Sequence, residues 1–318
     1  MTDSTVLERR PAVAPPGVSS RRRGHRAYRA RKVAVPYLLL LPAVVMYALF
    51  TVYPIFRQFE ISFFNWHIFP GASNPFVGLS NYSAIFHDPV VRTAALNSLL
   101  YIVVTVPIQM ALGLFAAAML TDRLPGSVFW RAAVYVPVVT SWVVVSYIFA
   151  YIFNAGDGLM NTLLSFFAGH TVRIDWLAQT WTGNAVIWLL GIWKGVGWSF
   201  IIFLAALDAV PRDLLEAART DGASEPRLWR HVVIPSLRPA MTFVLVLLVI
   251  GAATVFAQVY LMTQGGPYNS TQVLFTYAYQ QAFTNFAFGY AAAIASLLAV
   301  VLFGLSAAEI RLMRPREG

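Results

Sequence analysis

The side chains able to do chemistry are few in this sequence, and their spacing argues against catalysis. There is no cysteine, so disulfides, thiolate zinc sites and iron–sulfur clusters are excluded. The five histidines (His25, His67, His87, His170 and His231) are scattered and form no HExxH pair, so no metal site is expected. The only lysines are Lys32 and Lys194; neither belongs to a GxxxxGKS/T phosphate loop, and no GxSxG motif occurs. The chain is therefore expected neither to hydrolyse ATP nor to act as an enzyme. What remains is a small set of polar and aromatic groups in apolar surroundings. Lys194 lies deep in an apolar run, where an ionisable group is costly unless it meets a partner or a cavity. It reads either as part of a solute path, or as a side chain that snorkels to the outer interface or pairs with a neighbouring subunit. Trp193 and Trp198 share its run, and Gln258 and Tyr260 are polar candidates on a later one. Asn97 and Gln109 read as interhelical hydrogen bonders.

The elements that must position these groups are long and apolar. The chain has 318 residues, 58% hydrophobic and 12% charged. Six apolar runs each approach or exceed the roughly 20 residues needed to cross a bilayer. They are about Val33–Phe56, Ala94–Leu120, Ala132–Phe153, Gly183–Leu207, Met241–Met262 and Phe286–Ala308. The expected fold is an all-α integral membrane protein with six transmembrane helices. Pro42, Pro107 and Pro137 lie inside runs, which membrane helices tolerate when neighbours satisfy the freed carbonyls.

Charge sets the expected orientation. Nine basic residues fall between positions 9 and 32, in a Pro-, Ser- and Arg-rich stretch without a periodic apolar face. Residues 1–32 therefore read as a disordered basic tail facing anionic lipid, with no call for nucleic acid. With the N-terminus inside, the tail, loop 121–131, loop 208–240 and the C-terminal stretch from Arg311 carry 19 of the 23 basic residues. The excess places both termini in the cytoplasm, with 33–310 as the membrane domain and 311–318 as a second cytoplasmic tail. The aromatic sets Phe63, Phe64, Trp66, Phe69 and Leu159, Leu163, Phe166, Phe167 suit interfacial segments.

The longest charged stretch outside the tail is Asp208–Ala240. Pro211 suits a first helical turn, Gly222 a helix end with positive φ, and Ser224 the cap of a second short helix. Pro235 and Pro239 are expected to break that second helix. The result is two short helices at an elbow, with apolar side chains and no core of their own, a surface of the kind that docks on a partner.

The motif content of this loop is specific. Glu216-Ala217-Ala218, Gly222 and the closing Val232-Val233-Ile234-Pro235 resemble the EAA motif of ABC importer permeases, with Asp221, Ala223 and Trp229 completing the form of the sugar-type members. Further matches follow in order: Val136-Pro137; Phe153-Asn154 with Gly158-Leu159-Met160-Asn161; Trp193-Lys194-Gly195-Val196-Gly197; Thr263-Gln264-Gly265-Gly266-Pro267; and Gly289-Tyr290-Ala291-Ala292-Ala293. Together they resemble the TxGGP-carrying permease subunit of maltose and glycerol-3-phosphate importers, which has the MetI-like fold. The resemblance implies a bacterial or archaeal plasma membrane, a second related permease, two copies of an ATPase holding ATP and Mg, and an extracytoplasmic solute-binding (lipo)protein. It also implies alternating-access import of a sugar or oligosaccharide, and leaves glycerol-3-phosphate-type solutes open. Residues 208–240 would then be the coupling loop seated on the ATPase. Gly195 and Trp198 fall where relatives contact solute. The chain departs from the family at Ala257, where an Asp often follows the phenylalanine corresponding to Phe256.

Two rival readings make different demands. A membrane-embedded transferase needs carboxylates or basic groups clustered at one membrane face, and a secondary transporter needs ion-coupling carboxylates at mid-membrane and usually two similar halves. The sequence supplies neither.

Overall fold

The structure, a computed structural model, describes residues 37–69, 71, 73–121 and 126–313. The disordered tail expected over 1–32 lies outside the described residues, as does the end of the 311–318 tail beyond Met313. Among the described residues the regular elements are helices, and the one strand-like feature is an isolated bridge between Phe64 and Phe76. In chain order they are α1 (Tyr37–Ile61), α2 (Ser80–His87), α3 (Pro89–Thr121), α4 (Ser127–Val139), α5 (Trp142–Ile152), α6 (Leu159–Ala168), α7 (Thr180–Asp208), α8 (Arg212–Thr220), α9 (Arg238–Ala253), α10 (Ala257–Met262), α11 (Leu274–Phe283) and α12 (Phe288–Met313). Five spans are long and apolar enough to cross a membrane: α1, α3, α7, the run Arg238–Met262 through α9 and α10, and Phe288–Arg311 of α12. The pair α4 and α5 brings the number to six when its two arms are counted together as one span.

The chain divides into two units, 1–57 and 58–318. In the first, the described part of α1 buries no side chain and is apolar on every side, as a lipid-facing helix is. It opens into a π turn at Ala48–Val52, two residues before Pro54. The Pro54 ring crowds the carbonyl four residues earlier, at Phe50, and the wider turn makes room for it.

In the second unit α7 is the central helix, with Ile187, Leu190, Phe200 and Phe203 at 1% exposure or less. It lies closely against α3 because the contact is lined with glycine. A Cβ at Gly113 would meet Ser199, at Gly191 the Tyr101 ring, and at Gly195 the Gln109 amide. Lipid gives little hydrophobic drive for helices to associate, so close packing of this kind is what holds them. Helix α9 closes one side through Val244, which joins Ala117, Leu120, Phe200, Phe203 and Leu204. Helices α11 and α12 pack on α2 and α3 through Ile85, Ala94, Tyr277, Ala293 and Ile294.

The third apolar run is where the expectation needs correcting. It is not one helix over Ala132–Phe153 but two, α4 and α5, bent by 97°. Thr140 (ψ 149°) and Ser141 (ψ 132°) are extended between them. Pro137 removes one helical N–H just before the break, and the carbonyls freed there find donors outside their own helix.

Two loops named by motif are tied by internal hydrogen bonds. Asn161 is 2% exposed; its amide donates to the Ala155 and Ile174 carbonyls and its oxygen accepts the Trp176 indole N–H at 2.8 Å. In the TxGGP loop, Thr263 and Thr271 share a 2.8 Å hydroxyl contact, and Thr271 donates to the Gly266 carbonyl at 2.7 Å.

Candidate functional site

A cavity of about 560 Å³ opens between α3, the start of α5, α7 and the run through α9 and α10. Its polar wall comes from Tyr101, Gln109, Ser199 and Gln258, and its aromatic wall from Trp142, Trp198 and Phe256. Gln258 is 4% exposed and donates to the Tyr101 hydroxyl at 2.9 Å; Gln109 donates to the Gly191 carbonyl at 3.2 Å. The Ser199 hydroxyl is buried and has no partner among the described residues. A buried hydroxyl without a partner carries a desolvation cost of about 1–3 kcal/mol. Ala257 also lines the cavity, so the departure from the family at this position leaves the wall without a carboxylate. None of the described lining residues is Asp, Glu, Lys, Arg or His.

Of the six sequence candidates for a solute path, the cavity gathers Gly195, Trp198 and Gln258 but not Trp193, Lys194 or Tyr260. Trp193 packs beside Phe149, and Tyr260 stacks on Phe256. Gln109 bonds across helices as expected, whereas Asn97 donates to the Ser270 and Gln272 carbonyls of the loop before α11. Tyr101, Trp142 and Ser199 belong to the wall and carried no sequence signal, since an aromatic or a serine within an apolar run is commonplace.

Lys194 is 3% exposed. Its ammonium donates to the carbonyls of Pro137 (2.7 Å), Val138 (3.2 Å) and Thr140 (2.6 Å) and lies 3.3 Å from the Thr140 hydroxyl. It also sits 4.9 Å from the centroid of the Trp142 ring. Within this chain it therefore neither snorkels nor faces the cavity; it binds the backbone at the α4–α5 break.

The second candidate region is the elbow between α7 and α9. Helix α8 ends in a Schellman motif: Gly222 has φ +80°, its N–H bonds the Arg219 carbonyl at 3.0 Å, and the Ala223 N–H bonds that of Ala218 at 3.0 Å. Pro211 precedes the helix instead of occupying its first turn, and Ser224 takes the cap position of the next helix without a side-chain cap bond. Beyond Ser224 the second helix does not end at Pro235 itself; it stops at Leu237, between Pro235 and Pro239 and before the apolar run, as expected. Glu225–Leu228 runs into a π turn at Trp229–Val233, two residues before Pro235, and continues through Ile234–Ser236. Pro239 then sits in the first turn of α9, where its missing N–H has no partner to lose.

The elbow also has a core, contrary to expectation. Leu228, Val233 and Leu237 are buried with Leu215, Ala218, Trp229 and Val232 against Leu114, Leu207, Val210 and Met241. Trp229 therefore supports the elbow from inside. Leu214, Glu216, Ala217, Asp221 and Gly222 face outward, while Ala218, Ala223 and Pro235 are half-buried. Arg219 and Glu225 form an ion pair on this surface at 3.2 Å, more than half exposed on both sides.

A further cluster went unread in the sequence. Asp88, just before α3, accepts hydrogen bonds from the Tyr277 and Tyr290 hydroxyls at 2.7 and 2.8 Å and from the Val90 N–H at 2.8 Å. Burial pushes its carboxyl up, but the two hydroxyls and the Val90 and Val91 N–H groups outweigh burial and hold it below the ordinary value.

A glycine-tight helix pair, an uncharged cavity between crossing helices and a motif-bearing elbow are the features of a membrane permease. Residues 95–311 match the family described as binding-protein-dependent transport system inner membrane component, and the chain belongs to that family. It is thus a multi-pass inner-membrane protein, the permease component of an ABC importer. It is 35% identical to the probable ABC transporter permease YurN of Bacillus subtilis, covering 88% of this chain and 96% of that protein. It is 32% identical to the arabinooligosaccharides permease AraP of the same organism, over 96% and 97% of the two chains. It is 31% identical to the sn-glycerol-3-phosphate permease UgpA of Yersinia enterocolitica, over 87% and 93%. A chain in the crystal structure of a bacterial alginate ABC transporter superposes with a TM-score of 0.80 at 21% identity, covering 92% of this chain and all of that one, a likeness of fold.

Proposed function

We propose that this permease carries an uncharged sugar or oligosaccharide by alternating access. The observation behind this reading is the cavity: aromatic faces at Trp142, Trp198 and Phe256, hydrogen-bonding groups at Gln109, Thr254 and Gln258, and no ionisable acid or base in its described lining beyond the Tyr101 phenol. A sugar offers C–H faces that pack on rings and hydroxyls that need partners. A phosphate or carboxylate entering the same space would lose its hydration with no cation to replace it. Relatives named for arabinooligosaccharides, lactose and multiple sugars agree with this class. The relative named for sn-glycerol-3-phosphate marks the alternative that the uncharged wall disfavours.

The rest of the machine follows from the elbow. Glu216, Ala217, Asp221 and Gly222 form its outward surface, and Ala218, Ala223, Trp229 and Pro235 hold that surface in shape. We assign this surface to a separate ATPase, present in two copies and holding ATP and Mg; this chain itself catalyses nothing. A second, related permease completes the pore, and an extracytoplasmic binding protein delivers solute. Both termini and the elbow lie in the cytoplasm on this reading, which makes 1–32 and 311–318 cytoplasmic tails. Closure of the ATPase pair becomes a rigid-body movement of the helices around the cavity.

Uptake of radiolabelled lactose, arabinotriose and glycerol-3-phosphate into proteoliposomes holding the complete transporter with its binding protein tests the solute class. Uptake of a neutral sugar alone is expected. Uptake of glycerol-3-phosphate alone would overturn the assignment.

A further inference from the structure

The feature left over from this account is Lys194. It is a cation in a membrane helix, it lies outside the cavity, and no acid is needed to explain its position. Its ammonium can donate three hydrogen bonds. The backbone it meets is the end of α4, where the final carbonyls of a helix have no intrahelical partner and carry the negative end of the helix dipole. In water such carbonyls would be hydrated. Inside a membrane protein they need a donor from elsewhere in the fold. Lys194 reaches Pro137, Val138 and Thr140 at 3.2 Å or less. On the far side of the break, Trp142 begins α5 and presents its ring to the same ammonium at 4.9 Å. That ring also lines the cavity. A single side chain on α7 thus touches both arms of the broken span.

We propose that Lys194 is a positioning residue: it holds the α4–α5 break at its angle and seats Trp142 on the cavity wall. The charge is essential to this role. Lys194→Met takes this donor from the Val138 and Thr140 carbonyls and leaves the Pro137 carbonyl with only the Thr140 hydroxyl and N–H, and the two arms are then free to change their angle. The importance of Trp142 rests on the reading of the cavity as the solute path, whereas the clamp does not.

The chain has no cysteine, so paired labels need no background substitutions. Spin labels at Val128→Cys on α4 and Tyr151→Cys on α5, both on exposed positions, report the angle between the arms in the assembled transporter in nanodiscs. With Lys194 a single narrow distance distribution is expected. Lys194→Arg, which keeps the charge and the donors, should retain it. Lys194→Met should shift or broaden it. An unchanged distribution in Lys194→Met overturns the clamp. If Lys194→Met fails to accumulate, Lys194→Gln is compared with Lys194→Arg, and identical narrow distributions in those two overturn it equally. The cavity reading is tested separately. Trp142→Cys, with Lys194 intact, should react with the water-soluble reagent MTSEA. Absence of reaction there, with the label distances still dependent on Lys194, would remove the solute-path reading and leave the clamp in place.

Discussion

The elbow after α7 and the break between α4 and α5 both turn a helical chain sharply, and they satisfy their backbones by opposite means. The elbow uses its own neighbourhood. Gly222 adopts φ +80°, two Schellman bonds close α8, and the π turn at Trp229–Val233 makes room for Pro235. The same arrangement, a π turn ending two residues before a proline, recurs at Ala48–Val52 and Pro54. The break at Thr140–Ser141 borrows from a distance, since its donor is Lys194, more than fifty residues along the chain. The difference follows from surroundings. The outer face of the elbow is exposed, so water can take whatever its turns leave unpaired. The break lies within an apolar run, where an unpaired carbonyl has only protein to turn to. Local devices are sufficient at a wet bend, and a dry bend needs a long-range partner.

This contrast can be broken at either end, and the largest effect is expected at the elbow. Gly222→Asp should reduce uptake more than tenfold while the protein stays in the membrane. Asp and Asn both tolerate the left-handed region better than other side chains, and a Cβ at Gly222 meets nothing within 4 Å. Gly222→Asn should therefore keep the turn and fall between wild type and Asp in uptake. Normal uptake in both variants would detach the elbow from coupling. Next comes Lys194→Met. Thermal unfolding in detergent should show a lower midpoint than for Gly222→Asn, because losing a buried donor leaves about 1–3 kcal/mol of unpaired polar groups. The reverse order would contradict the distinction between dry and wet bends.

Thr254→Val sharpens the cavity reading. It removes an exposed hydroxyl of the cavity wall that donates only to its own helix, at the Ile250 carbonyl, so stability should hold while the KM for the transported sugar rises several-fold. An unchanged KM would place the solute elsewhere.

The Asp88 cluster gives a pH effect with a definite sign. Its folded carboxyl lies below the ordinary value of 3.8. The stability it contributes is therefore present above that value and lost as pH falls through the folded pKa. Asp88→Asn should flatten the acid limb of a stability profile below about pH 4; an unaltered limb would deny Asp88 its role. The smallest effect is expected at Arg219→Ala. That exposed pair contributes about 0–1 kcal/mol, so unfolding should change little. A large loss of stability there would show that the elbow depends on its ion pair more than on its turn chemistry.

Much of the molecule was legible in its residues because membrane physics is mostly local in sequence. Six apolar runs announce six crossings, and a bilayer imposes helices on them. The elbow was readable for the same reason: Gly222 and the EAA stretch act within a few residues of themselves. Its inner face was not. Leu228, Val233 and Leu237 are buried in part by Leu114 and Leu207, which only the fold brings near. The break falls at Leu237 and not at Pro235, because a π turn, which composition does not announce, absorbs that proline.

What the sequence by itself determined is the class: an all-α membrane permease, with its helices, its elbow and a polar residue marking each unusual place. What only the tertiary structure decided is the assignment of those residues. Lys194, Gly195 and Trp198 lie within five positions on one helix, yet Trp198 and Gly195 line the cavity while Lys194 turns to the α4–α5 break. Successive residues on a helix point about 100° apart, so what each one meets is set by which helices pack on which side. Those neighbours come from α3, α4 and α9, remote in sequence, and no local pattern around Lys194 records them.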